Sequence, residues 1–301
     1  MLLVEDYRPQ NLDEIVLPAD IKRQINEWIE TDIPHLLLTS KVPGTGKSTL
    51  ARILIRETQA EALFLNASLY PNIDTLRYKI QGFVSTTGFN DAKKIVVLDE
   101  ADALNPNSTQ PALRGFIEEF SGNARFILTC NYPDKIIEPI RNRLVTLDFD
   151  KIFRDYKKEL AKEIYGYLTR ILSDLEIRYS KEDIAGVIKE SYPSIRDMVQ
   201  KIQKGIQGNV FEFRPEKTDI KELFLKSYQE LLEYVVSNPD PERLYNQIFK
   251  NIEIFGTDEA VAEAVMTLAE YQYKSSRVRD VAINTMACLL ELQSIYEKGN
   301  R

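Results

Sequence analysis

Residues 43–49 read Pro43-Gly44-Thr45-Gly46-Lys47-Ser48-Thr49, a glycine-rich turn set between two apolar stretches. Before it, residues 35–39 (HLLLT) form a short run of strand type. After it, residues 50–55 can continue a helix. Strand, glycine turn and helix start together are the setting of a phosphate-binding loop. The glycines let the backbone curl so that its N–H groups face phosphate oxygens, and the new helix adds its positive end. Lys47 would reach the β and γ phosphates of ATP, and Ser48 would place its hydroxyl on Mg2+. Gly44, Thr45, Gly46 and Thr49 would complete the cradle. The full pattern asks for a glycine five positions before Gly46, where this chain has Lys41.

A phosphate loop needs a magnesium-holding carboxylate on a neighbouring strand. Residues 94–98 (KIVVL) have the composition of a buried strand, and Asp99-Glu100-Ala101-Asp102 follows directly. Asp99 would hold the metal, and Glu100 would orient and polarise the attacking water. A solvated acidic turn is the simpler explanation of such a cluster. Its place at the end of an apolar run, about fifty residues after the loop, favours ATP hydrolysis.

Composition bounds the rest. The 301 residues predict two or three domains. With 44% hydrophobic and 28% charged residues, the chain reads as soluble and globular. It has no apolar run long enough for a membrane span, and its start lacks the basic-then-apolar order of a signal peptide. Cys130 and Cys288 are far apart without a CxxC partner, which argues against a zinc site or a disulfide framework and fits a reducing cytoplasm. A formal charge of −7 speaks against a generally basic nucleic-acid binder but leaves room for a local basic strip.

Strand-like and helix-like stretches alternate through the first half. Residues 20–28 have helical apolar spacing. Residues 64–66 read as a strand. Residues 72–84 read as an amphipathic helix with Ile73, Leu76, Ile80 and Phe83 on one face. Residues 85–93 read as a loop, residues 106–120 contain a helix, and residues 125–129 form a strand ending at Cys130-Asn131. The polar residues of interest sit at strand ends, as in a parallel α/β sheet with its ligand at the carboxyl edge. From about residue 150 the pattern is helical: 153–172, 181–189 and 194–207, then a linker at 208–215, then helices at 219–236, 241–252, 258–271 and 278–296. The fold class is therefore α/β, a P-loop parallel sheet (1–150), followed by a helical lid (151–210) and an all-helical domain (211–301).

The motifs Tyr7-Arg8-Pro9, Pro34-His35-Leu36, 43–49, Asn66-Ala67-Ser68, 99–102, Ala112-Leu113-Arg114, Thr129-Cys130-Asn131, 139–143 and 192–197, in this order, resemble AAA+ sliding-clamp-loader ATPases. The likeness runs along essentially the whole chain. It is nearest to the T-even-like bacteriophage type and similar to replication factor C small subunits. The resemblance implies an adenine pocket of Tyr7, Arg8, Pro9 and Val16, with Asn131 as sensor 1 and Arg196 as sensor 2. It implies that Arg143 is an arginine finger acting in trans on the next subunit's ATP. The family usually shows Ser-Arg-Cys there; this chain has Asn142-Arg143-Leu144, and Arg141 is a neighbouring alternative. His35, the only histidine, reads as structural.

The resemblance also implies partners. Arg77, and secondarily Lys79, match a helix that contacts the phosphate backbone of primer–template DNA. Phe83 and Phe89 match the region that meets the sliding clamp, although Phe83 also fits a core stripe. Gln110 and Arg114 match a helix that couples neighbouring ATPase domains. Residues 218–301 would form an oligomerising collar in a five-subunit assembly of four copies and one different subunit, in the cytoplasm of the infected host. Two competing readings are another AAA+ DNA-remodelling ATPase of helicase-loader type and a scaffold that binds ATP without hydrolysing it. Retention of Lys47, Asp99, Glu100 and Arg143 argues against the scaffold.

Overall fold

The structure, a computed structural model, describes residues 2–69, 73–85, 94–214, 220–237, 241–275, 278 and 280–300. The chain divides into two compact units, Met1–Pro215 and Glu216–Arg301.

The first unit is built on five parallel strands: β1 (Leu36–Thr39), β2 (Glu61–Asn66), β3 (Lys94–Asp99), β4 (Ala124–Cys130) and β5 (Val145–Asp148), in the order β2-β3-β4-β1-β5. The three central strands are buried almost throughout because helices cover both faces. Alternation sorts their side chains. Leu36, Leu38, Ile95, Val97 and Ile127 join one core. Leu37, Val96, Leu98, Phe126 and Leu128 join the other.

Around the sheet lie α1 (Leu3–Asp6), α2 (Ala19–Glu30), α3 (Lys47–Glu57), α4 (Ile73–Val84), α5 (Thr109–Glu119) and α6 (Glu138–Arg141). Next come α7 (Phe149–Asp155), α8 (Lys157–Asp174), α9 (Lys181–Ser191) and α10 (Ile195–Gly205). The core against α3 runs on without a break into Leu160, Ile164, Leu168, Val187, Met198 and Ile202 of α8, α9 and α10. Leu76, Ile80 and Val84 of α4 bury into the opposite core together with Leu113 and Phe116 of α5.

One strand is unanticipated and three expectations change. The strand β5 does not stand out in the sequence, because only Leu147 of its four residues is buried. The helix expected over 153–172 is two helices broken at Tyr156, whose φ −107° and ψ 25° leave the helical region. Of the linker expected over 208–215, the described residues 208–214 are not a simple linker. Ile206–Gln207 (β6) and Val210–Phe211 (β7) pair antiparallel, Phe211 is buried, and the Phe213 amide donates to Asp183 Oδ1 at 3.1 Å. The helix expected over 219–236 is two: α11 (Ile220–Phe224) and α12 (Tyr228–Ser237).

The second unit continues with α13 (Pro241–Lys250), α14 (Asp258–Ser275) and α15 (Val281–Gly299) around its own apolar core. Buried Asn284 holds α14, its Nδ2 donating to Tyr271 O at 3.1 Å and Ser275 Oγ at 2.9 Å. Leu225, Tyr228, Leu232 and Val236 lie three or four residues apart and are all exposed, so α12 and the turn before it carry an apolar stripe outward. No helix among the described residues is long and apolar enough to cross a membrane.

Candidate functional site

The carboxyl ends of β1, β3 and β4 open into a pocket. The phosphate loop, residues 40–46, joins β1 to α3 beneath it. Gly44 and Gly46 have φ of +82° and +106°, values that a side chain disfavours. Lys41 is absent from the positive-φ residues, so no glycine is needed there; its side chain is exposed. Its amide donates to Asp150 Oδ2 at 2.8 Å, and Ser40 Oγ donates to Asp150 Oδ1 at 2.8 Å. A carboxylate at the start of α7 thus fixes the loop's entry.

Lys47 opens α3 and is buried. Its ammonium donates to Asn131 Oδ1 at 2.9 Å and to Ser40 O at 3.3 Å. Burial lowers its pKa, and the negative charges of Asp150, Asp99 and Asp102 pull the other way. Ser48 Oγ donates to Asp99 Oδ1 at 2.7 Å, and Thr129 Oγ1 donates to the same oxygen at 2.6 Å. These hard oxygens suit a small divalent cation that keeps waters and phosphate oxygens as its other ligands.

Glu100 sits in the left-handed region at φ 58° and ψ 43°, an uncommon conformation for a non-glycine residue. Its amide donates to Thr129 Oγ1 at 3.1 Å, and the residue lines the pocket. Asp102 accepts from the amides of Asn131 and Tyr132 at 3.3 and 3.2 Å, which fixes the turn carrying Asn131. Cys130 also lines the pocket, but burial pushes its thiol up to about 12, so it is no nucleophile at neutral pH.

The wall opposite the loop is apolar: Val4, Pro9, Ile15, Val16, Ile195 and Val199, with Tyr167 and Arg8. Arg8, Pro9, Val16, Gly44, Gly46, Lys47, Ser48, Thr49, Asp99, Glu100, Asn131 and Arg196 are thereby brought together. Two expected members do not line the pocket with their side chains. Tyr7 packs on the core, and its carbonyl accepts from Tyr167 Oη of the pocket wall at 2.9 Å. Thr45 turns its side chain inward, where its hydroxyl is buried without a partner among the described residues. Thr129, Asp102, Asp150 and Tyr167 carry no assigned role in the sequence. Asp102 and Thr129 have a local signal, as members of the acidic motif and of Thr129-Cys130-Asn131; Asp150 and Tyr167 have none.

Other expected residues lie elsewhere. Arg143 does not line this pocket; it pairs with Glu118 and donates to Pro139 O at 2.6 Å. Arg141 lies 4.0 Å from Asp134, and its Nε is buried without a partner among the described residues. Arg77 is exposed and Lys79 half-buried, and at about 200° apart around α4 they face different sides. Phe83 is half-buried at the rim of the second core, with the Lys94 ammonium 5.0 Å from its ring centroid. Phe89 lies outside the described residues. His35 Nδ1 accepts from the Phe126 amide at 3.1 Å, and burial lowers its pKa, which fits a neutral structural role.

Arg114 is exposed, but Gln110 is completely buried. Gln110 Nε2 donates to Leu104 O at 3.0 Å and Lys135 O at 2.8 Å, and its Oε1 accepts from Ile137 N at 2.8 Å. Gln110 thus ties α5 to the loops on either side of it within its own chain. Gln110→Ala removes the side-chain partner of three backbone groups, the one at Leu104 buried, and is expected to cost about 2–4 kcal/mol. A melt followed by circular dichroism should fall by roughly 5–10 °C. A shift under about 1 °C would mean these bonds are dispensable.

Residues 37–150 match the model of the ATPase family associated with various cellular activities (AAA). Sheet, loop and acidic pair thus define a P-loop ATPase of the AAA class. Over 99% of its length the chain is 30% identical to 98% of the replication factor C small subunit of Thermofilum pendens. It is 31% identical to that of Sulfurisphaera tokodaii over 99% and 97% of the two chains. It is also 32% identical over 200 residues to the sliding-clamp-loader large subunit of Enterobacteria phage T4, 66% of this chain and 62% of the phage protein. The match thus spans less than two thirds of that relative's length. The solved branch-migration motor RuvB of Thermotoga maritima has the same fold, with a TM-score of 0.55 at 17% identity over 76% and 79% of the chains. The chain belongs to the replication factor C small-subunit family.

Proposed function

We propose that this chain is the ATP-hydrolysing subunit of a DNA polymerase sliding-clamp loader of the T-even-like phage type. The observation that carries the reading is the convergence of Lys47, Ser48, Asp99, Glu100, Asn131 and Arg196 on one pocket with an apolar wall. The wall suits adenine. Lys47 and the loop amides suit the phosphates, and Ser48 with Asp99 suits Mg2+. Glu100 would polarise the attacking water, Asn131 would orient it, and Arg196 would report the γ-phosphate to α10. Arg143, outside its own pocket, would serve the ATP of a neighbouring subunit.

Binding ATP would draw subunits into a spiral that holds the clamp open. Primer–template DNA would enter against Arg77, with Lys79 as a second cation, and the region of Phe83 and Phe89 would meet the clamp. The exposed apolar stripe of α12 supports the reading of residues 211–301 as an oligomerising collar, after an ATPase domain (1–150) and a lid (151–210). Four copies with one different subunit, working in the host cytoplasm, complete the proposal.

Steady-state ATP turnover tests it. The protein alone is compared with protein plus primer–template DNA, its matched clamp and the partner subunit. Turnover should rise by about tenfold or more only when DNA and clamp are both present. Turnover indifferent to both would leave an ATPase and remove the clamp loader.

A further inference from the structure

The start of α10 touches the phosphate loop directly. Ser194 Oγ donates to Pro43 O at 2.9 Å, and the Arg196 amide donates to Gly44 O at 3.2 Å. The approach is close: a Cβ added to Gly44 would stand 2.6 Å from Arg196 Cβ and 2.7 Å from Ser194 Oγ. Ser194 is also the N-cap of α10, its Oγ accepting from the Asp197 amide at 3.3 Å. One hydroxyl therefore does two things. Its lone pair closes the helix end, and its proton holds the loop.

The consequence follows from the planarity of the peptide unit. In a trans peptide the N–H points opposite to the C=O. Neither the Pro43–Gly44 nor the Gly44–Thr45 bond is cis. With the carbonyls of Pro43 and Gly44 fixed on α10, the amides of Gly44 and Thr45 are turned away from it. Those amides belong to the stretch that cradles phosphate in loops of this type. We propose that Ser194 is a positioning residue for phosphate binding: it holds the loop's carbonyls on α10 and so pre-sets the direction of its amides. The inference rests on the reading of this pocket as a nucleotide site.

Three substitutions separate the tether from the cap. Ser194→Ala loses both. Ser194→Asp keeps a strong capping oxygen but, ionised, has no proton for Pro43 O. Ser194→Asn can cap with its carbonyl and donate with its amide. Binding of ATP carrying a fluorophore on its ribose is titrated for each, beside thermal melting and ATP turnover. The Ala and Asp variants should bind about five- to tenfold more weakly, the worth of one lost hydrogen bond, while Asn stays within about twofold of the parent. The loss should fall on KM, with kcat at saturating ATP held within about twofold, because bound phosphate orders the loop itself. The Asp variant should melt with the parent. Parental affinity in Ser194→Asp would overturn the tether and leave only a helix cap. Parent protein that binds no labelled ATP, like a Lys47→Ala control, would overturn the nucleotide site and this inference together.

Discussion

Lys47→Ala is expected to lower ATP turnover by on the order of 10²–10³ or more. The pocket places one buried ammonium among the loop, Asn131 and three carboxylates. Charge that develops on the phosphoryl oxygens during transfer has to be met by groups already in place. Within the pocket Arg8 and Arg196 are the other cations, and Arg8 is paired with Glu5 at 2.5 Å. Alanine also leaves Asn131 Oδ1 without its donor. The fold should tolerate the change, because removing a desolvated ammonium relieves one cost while stranding the amide adds another of about 1–3 kcal/mol. Turnover and a thermal melt measured on the same preparation separate the two effects. A variant that keeps more than a tenth of parental turnover would show that the loop works without its lysine.

The legible parts of this chain are those whose signals are local. A loop between strand and helix, an acidic pair after a buried run, and Asn131 after the next strand all lie within a few residues of their punctuation. What the sequence does not display comes from contacts across long separations. Asp150 meets the loop's entry across 109 residues, and Ser194 meets Pro43 across 151. Tyr167 joins the pocket wall from the middle of α8, where it reads as an ordinary apolar position. The sheet edge is hidden for another reason, since β5 buries only Leu147 and so lacks alternation over enough residues. Gln110 misleads in the opposite direction. A polar residue in the first turn of a helix shows no sign of burial in the sequence, yet the Gln110 amide is buried among the loop backbones it bonds.

Arg143→Ala is expected to leave ATP binding by the single chain unchanged and to remove on the order of 10³ from the turnover of the assembled, DNA-stimulated enzyme. The separation follows from position. Arg143 lies outside its own pocket, held by Glu118 and Pro139 O, so deleting it leaves every residue of that pocket in place. Arg141→Ala is the matched control, because its half-buried guanidinium lies two residues away near Asp134. A mixing experiment reads the geometry itself. Lys47→Ala chains have a dead pocket and an intact Arg143, while Arg143→Ala chains have the converse. Each alone should be silent in the presence of DNA, clamp and partner subunit. Mixed, every Arg143→Ala chain whose pocket faces a Lys47→Ala neighbour regains the missing guanidinium, so turnover should reappear and peak near equal proportions. Mixtures that stay silent, or an Arg143→Ala chain that has lost ATP affinity on its own, would place Arg143 in a role confined to its own subunit. Recovery with Arg141→Ala in its place, and none with Arg143→Ala, would move the finger back two residues, to the end of α6.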